Sequence, residues 1–213
     1  MNEDKAPDYR YRLTVEVDTP EGLKTGSSVI EVQQTLVRPG SSPGSQGVSR
    51  KVRGEAVAVD LPGGKTLYAL LRSDNNVDWA SLLFVYLAGP STDPDFVDQL
   101  DDVQDVSGEQ VVPRRWPPVG FLPERSAYPI VVTFADEADP TSMVRVDPDD
   151  LSASFGEGVS LKRLTAELTN DDVTTGITER LGWVGQSFKN YQREDFPSSI
   201  PVGDINGLFQ KGQ

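Results

Sequence analysis

Cysteine and histidine are both absent from the 213 residues, and the two absences remove whole classes of chemistry. There can be no disulfide, no thiolate nucleophile, no Ser-His-Asp or Cys-His relay, and no His or Cys metal site. Long apolar runs are lacking as well. The most apolar stretch, Trp79–Ala88, has ten residues, where a membrane-crossing helix needs about 20. Basic charge is scarce: 20 Lys and Arg stand against 33 Asp and Glu, a net charge of −13. That balance opposes nonspecific attraction to nucleic-acid phosphates or anionic lipid as a property of the whole chain. No Gly-rich phosphate loop or dinucleotide fingerprint occurs, so no cofactor is expected. The missing cysteines do not fix a compartment, because a chain this long buries about 70% of its extended surface and needs no disulfide.

What is present reads first as strands. Tyr9, Tyr11, Leu13, Val15 and Val17 alternate with Arg10, Arg12, Thr14, Glu16 and Asp18, the period of a half-buried strand. Thr19-Pro20-Glu21-Gly22 supplies a turn, and a second strand follows over 24–37, giving a β-hairpin. Residues 55–60 and 66–72, joined by Leu61-Pro62-Gly63-Gly64-Lys65, predict another hairpin. Between them, 38–54 is rich in Gly and Ser and is expected to be a mobile loop. Trp79–Ala88, with Asp78 placed to cap it and Gly89-Pro90 to stop it, predicts a buried helix. Asp93-Pro94-Asp95 opens a short amphipathic helix carrying Phe96, Val97, Leu100 and Val103. Residues 111–129 hold five prolines and read as irregular. Strands are expected at 128–134 and 142–146, a short helix from Asp147-Pro148 to Gly156, and a strand through Leu164, Ala166 and Leu168. Val173, Ile177, Leu181 and Val184 predict a final helix capped within 170–172.

The fold expected from these elements is α+β: a mainly antiparallel sheet built from the N-terminal hairpins, with three or four short helices packed on one face. Residues 1–8 read as a flexible N-terminus without the apolar run of a signal peptide, so an exported form would require a leader absent from this sequence. Residues 9–185 read as one domain with a seam near 111–127, and 186–213 as an irregular tail that packs without building a layer.

Candidate chemistry is sparse. Gly40-Ser41-Ser42-Pro43-Gly44 matches the nucleophile-elbow pattern G-x-S-x-G, but Ser42 has no imidazole to take its proton and no helix follows. Asp74, Asn76 and Asp78 have the i, i+2, i+4 spacing of an oxygen-ligand loop, yet Trp79 replaces the required glycine and Val85 the bidentate acid. A strand-end turn leading into a helix cap is the better reading. Six aspartates between Asp93 and Asp105 read as a solvated helix face. The opposite charge gathers where acids vanish: between Glu31 and Glu55 there are only cations, Arg38, Arg50, Lys51 and Arg53. Arg50, Lys51 and Arg53 are therefore candidate contacts for an acidic partner. Arg114, Arg115 and Trp116, followed by Pro117-Pro118, form a second candidate, against the plainer reading that Trp116 covers its own core.

The wording of 9–18, of Gly26-Ser27-Ser28-Val29-Ile30-Glu31-Val32 and of 54–64 resembles a family of bacterial proteins in which a β-rich domain follows an N-terminal hydrophobic anchor. The resemblance covers mainly 9–72 and carries no assigned activity. It implies an extracytoplasmic domain, tethered to a membrane only through an anchor. The functional expectation is a noncatalytic binding or interaction module of a bacterial envelope assembly, with a protein rather than nucleic acid as partner. The alternatives are a carboxylate and divalent-metal hydrolase or transferase, and a structural subunit of a larger particle.

Overall fold

The computed structural model describes residues 6–37, 47–92, 98–118, 120, 123–189, 191–201 and 203–212. In chain order the strands are β1 Tyr9–Thr19, β2 Gly22–Val37, β3 Gly47–Glu55, β4 Val57–Leu61, β5 Lys65–Ala69, β6 Gln110–Val111, β7 Arg115–Trp116, β8 Arg125–Ser126, β9 Val131–Phe134, β10 Met143–Val146, β11 Ser160–Leu168 and β12 Gln210–Lys211. The helices are α1 Trp79–Ala88 and four single turns, α2 Asp102–Asp105, α3 Ser152–Phe155, α4 Ile177–Arg180 and α5 Asn206–Phe209. All strand pairings are antiparallel, which makes the chain a sheet-rich α+β protein.

Both expected hairpins form. β1 and β2 pair from Tyr9↔Val32 to Thr19↔Gly22, and β4 and β5 from Val57↔Ala69 to Leu61↔Lys65. They do not share a sheet, however. One sheet has the order β12-β3-β2-β1-β11-β6 and the other β10-β9-β5-β4, with β7-β8 a separate ribbon. Nor are the helices gathered on one face, because α1 belongs to one hydrophobic cluster and residues of α4 and α5 to another.

The first core joins Tyr11, Leu13, Val15 and Val17 of β1 to Val57 and Val59 of β4, Leu67 of β5, and Trp79, Leu83 and Phe84 of α1. Two tyrosines of β1 fix the helix. The Tyr11 hydroxyl donates to the Ala80 carbonyl at 2.6 Å and that of Tyr9 to the Ser81 carbonyl at 3.1 Å, while Trp79 Nε1 donates to the Ala127 carbonyl at 2.8 Å. Burial pushes both tyrosine hydroxyls far above their ordinary pKa, so they stay neutral donors. Gly89, at φ 79°, ends α1 in a conformation that glycine adopts without strain. Asp78 stands at the helix start, but its backbone carbonyl rather than its carboxylate meets the first turn.

The second core lies on the opposite face of the four-stranded sheet, where Tyr68, Leu70, Val132 and Phe134 meet Ile177, Leu181, Trp183, Ile200, Leu208 and Phe209. The expected tail thus packs, and it also builds: Ala56 N–H donates to the Phe209 carbonyl, Leu71 N–H to that of Leu208, and β12 extends the larger sheet.

Three expectations need correction. Residues 47–54 of the expected loop form most of β3, because Val48 and Val52 alternate with Ser49, Lys51 and Arg53 and the backbone pairs with β2. The remainder, 38–46 with Ser42, lies outside the described residues, as do 1–5 and 93–97. The helix expected over 173–184 is confined to Ile177–Arg180. Thr174 instead lies along β2, its N–H donating to the Val29 carbonyl at 3.1 Å and its hydroxyl accepting from the Val29 N–H at 2.8 Å. Of the acidic helix, Leu100 sits in a 3-10 turn, Val103 in α2, and both are buried.

Gly26 of β2 packs directly against Ala58 of β4, across the two sheets. A Cβ at residue 26 would stand 2.0 Å from the Ala58 carbonyl oxygen, which is main chain and cannot swing aside. Gly26→Ala is therefore expected to destabilise the fold by about 3 kcal/mol, the upper end for forcing extra atoms into a packed interior. A urea titration that shows less than about 1 kcal/mol would mean that the sheets separate at no cost.

Candidate binding site

Alternation along β3 divides the expected basic trio. Lys51 and Arg53 pair with Gln33 and Glu31 on the outer face of the large sheet, while Arg50 turns to the inner face. There Arg50 Nε donates to Gln34 Oε1 at 2.9 Å, and burial lowers its pKa against the opposing influence of Tyr9 and Tyr86. Arg53 stands 4.0 Å from Glu31, whose other oxygen accepts from Arg10 Nε at 2.9 Å. Lys51 makes no ion pair among the described residues.

Beside Lys51 and Arg53 lies an open groove of about 430 Å³, lined also by Gln33, Val52, Gly54, Glu55, residues 173–175 and residues 210–212. Each wall has a local cause. The 173–175 segment is held by the Thr174 bonds to Val29, where β3 diverges from β2 and frees the Val29 backbone. Glu55 is buried and ties three elements together: Oε2 accepts from the Ile177 N–H at 2.8 Å, Oε1 from Gln210 Nε2 at 2.8 Å, and its carbonyl from the Ser28 hydroxyl at 2.7 Å. Sequence reading missed Glu55, Thr174 and Gln210, since nothing local marks residues whose partners lie more than a hundred positions away.

The second expected cluster is committed to structure. Arg114 forms a two-pronged pair with Asp149, Nε to Oδ1 and Nη2 to Oδ2 both at 2.7 Å, and lies 5.0 Å above the Tyr128 ring. Arg115 is 3.4 Å from Glu124. Trp116 is buried against Tyr86, with ring centres 5.5 Å apart. The structure therefore places Trp116 in its own core and engages Arg114 with Asp149 and Tyr128.

Asp74, Asn76 and Asp78 do not converge. The Asp74 carboxylate is taken by Arg145, and the Asn76 side-chain oxygen accepts the Asp78 N–H at 2.9 Å. Among the described residues no three acidic side chains gather where an ion could sit between them. Several other acids are paired by arginines. Arg163 holds Glu16 at 2.8 and 2.9 Å and reaches Glu109 at 3.1 Å, and Arg180 Nη2 holds Asp60 at 2.9 Å. Hydrogen bonds from these arginines, and from Arg114, hold the Glu16, Asp60 and Asp149 carboxyls below their ordinary pKa.

Comparison with known proteins gives no family model, no curated protein and no solved structure that matches this chain.

Two measurements follow from the ion pairs. Because Glu16, Asp60 and Asp149 resist protonation when folded, the unfolded chain takes up more protons in acid. Stability is complete at neutral pH and falls as the pH drops below about 4, the ordinary carboxylate value, through the lower folded values. Melting temperature should be flat from about pH 7 to 5 and decline below that, with a shallower decline in Arg114→Gln; an unchanged acid slope in that variant would show the Asp149 pair to be irrelevant. The second measurement concerns the turn. With Asp74 held by Arg145, about 5 mM Ca²⁺ should shift the melting temperature no more than NaCl of equal ionic strength. A calcium-specific rise lost in Asp74→Ala would contradict that arrangement.

Proposed function

We propose that this chain is a noncatalytic protein-binding module whose docking site is the groove beside Lys51 and Arg53. One observation carries the reading: in a chain of net charge −13, Lys51, which makes no ion pair among the described residues, faces a groove together with Arg53, while Arg114, Arg145, Arg163 and Arg180 are bound to carboxylates of their own fold. A carboxylate-based enzyme would need acids that converge, and among the described residues no three acidic side chains do so. The resemblance of 9–72 to anchored bacterial domains supports an envelope assembly on the extracytoplasmic side as the setting. The groove combines the cations Lys51, Arg53 and Lys211 with the apolar surface of Val52 and Val173, the mixed surface of a site that recognises a protein segment.

A photocrosslinking residue placed at Gln33, inside the groove, and at Thr25, farther along the same face of β2, tests this in the natural host. An adduct of discrete size at residue 33 that is absent at 25, and is lost when Lys51 and Arg53 are both changed to Glu, is expected. Equal labelling at the two positions, or an adduct that survives the charge reversal, would remove the groove from the proposal.

A further inference from the structure

β12 pairs with β3 only at Gln210↔Glu55 and Lys211↔Gly54. Beyond that point β3 continues to Gly47 with β2 on one side and no strand among the described residues on the other. The direction of its backbone groups follows from the neighbours. Ala56 N–H donates to the Phe209 carbonyl, and a Cβ on Gly212 would stand 2.6 Å from the Val52 carbonyl oxygen, so the even-numbered residues face the β12 side. The β2–β3 register runs without a shift, so the N–H and C=O of Arg50 and Val48 point to the same open edge.

We infer that an extended acidic segment of a partner protein adds to this edge as an antiparallel strand, in line with β12; this rests on the binding-module reading above. Main-chain bonds to Val48 and Arg50 would give the segment its register, and its side chain opposite Lys51 would lie on the outer face beside that cation and diagonal to Arg53, across from which Gly212 of this chain already stands. Charge chooses the occupant. Every charged residue between Glu31 and Glu55 is a cation, so a second copy of β3 would set like charges against each other, whereas acidic residues at alternate positions are attracted. A long open edge is otherwise a hazard, and the basic side chains that repel a second copy are the same ones that select the partner.

The test uses the full chain and a nine-residue peptide, acetylated and amidated, in which Glu alternates with Thr or Val. On binding, the amides of Val48 and Arg50 should gain protection from hydrogen exchange, while those of Ser49 and Lys51, which face β2, should not change. The Lys51→Glu, Arg53→Glu double variant should bind at least about tenfold more weakly. Lys24→Glu, the same type of charge reversal at the far end of β2, should bind as before. Val48→Pro removes one outward donor and leaves the β2 ladder intact, so it should also weaken binding with every charge in place. Failure to bind, binding without protection at Val48 and Arg50, indifference to Val48→Pro, or self-association in place of peptide binding would each overturn strand addition. Should the residue 33 adduct form and the peptide fail, the binding module stands and only this mode of entry is lost.

Discussion

β5 and its extension are apolar on both sides: Leu67, Ala69 and Leu71 face the first core, Tyr68 and Leu70 the second, and all are at most 1% exposed. A strand of this kind must be covered twice, because leaving either row in water would forfeit about 1.5–3 kcal/mol for each large side chain. The first cover comes from nearby sequence, the β1–β2 hairpin and α1. The second comes from far along the chain, between Ile177 and Phe209. The groove beside Lys51 and Arg53 follows from that return. To reach the second face the chain crosses β2 at Thr174, enters α4 at the buried carboxylate of Glu55, and finishes as β12 on the end of β3. The groove is the gap between two segments whose main task is to bury Tyr68 and Phe134.

Charge is arranged around the same frame. Arg163 joins β11 to β1, Arg180 joins α4 to β4, and Arg145 joins β10 to the turn before α1. Such partly exposed pairs contribute about 0–1 kcal/mol each, so their main effect is on orientation. They also use up positive charge in an acidic molecule. Lys51 and Arg53 differ because β2 is the strand beside them, and the one acid it sets opposite them, Glu31, is already held by Arg10. A local basic surface therefore survives on a chain whose overall charge opposes it.

Local patterns made much of this legible. The alternation from Tyr9 to Asp18, the turn chemistry of 19–22 and 61–65, and the glycine stop after Ala88 each involve neighbours in sequence, and the corresponding elements are present. Where the sequence misleads, a distant partner overrides a local preference. The spacing of Val173, Ile177, Leu181 and Val184 is helical, but Thr174 gains two bonds to Val29 by staying extended. Residues 47–54 carry little apolar surface and read as loop, yet the neighbouring strand β2 supplies a ladder from Gly47 to Arg53. Of the candidate residues, Lys51 and Arg53 were visible as a charge asymmetry. That Arg50 lies on the other face depends on strand register, and that Trp116 is buried depends on Tyr86; neither is written in the local sequence. The allocation of the two hairpins to different sheets is written in neither hairpin, since it rests on pairings with strands far away in sequence, β11 for the first and β9 for the second.

Closure of the second core by Leu208 and Phe209 has a consequence for how the protein is made. During synthesis β4 and β5 leave the ribosome well before their cover, with the Tyr68 and Leu70 row still bare. Contacts so far apart in sequence form slowly, and a nascent chain holding an uncovered apolar sheet is vulnerable to aggregation. Vectorial synthesis thus imposes a waiting period in which chaperone occupancy of the β5 and β9 face is the natural substitute for the missing segment. A ribosome that stalls between Val146 and Ile177 would leave a nascent chain with the first core's strands largely available and the second face bare.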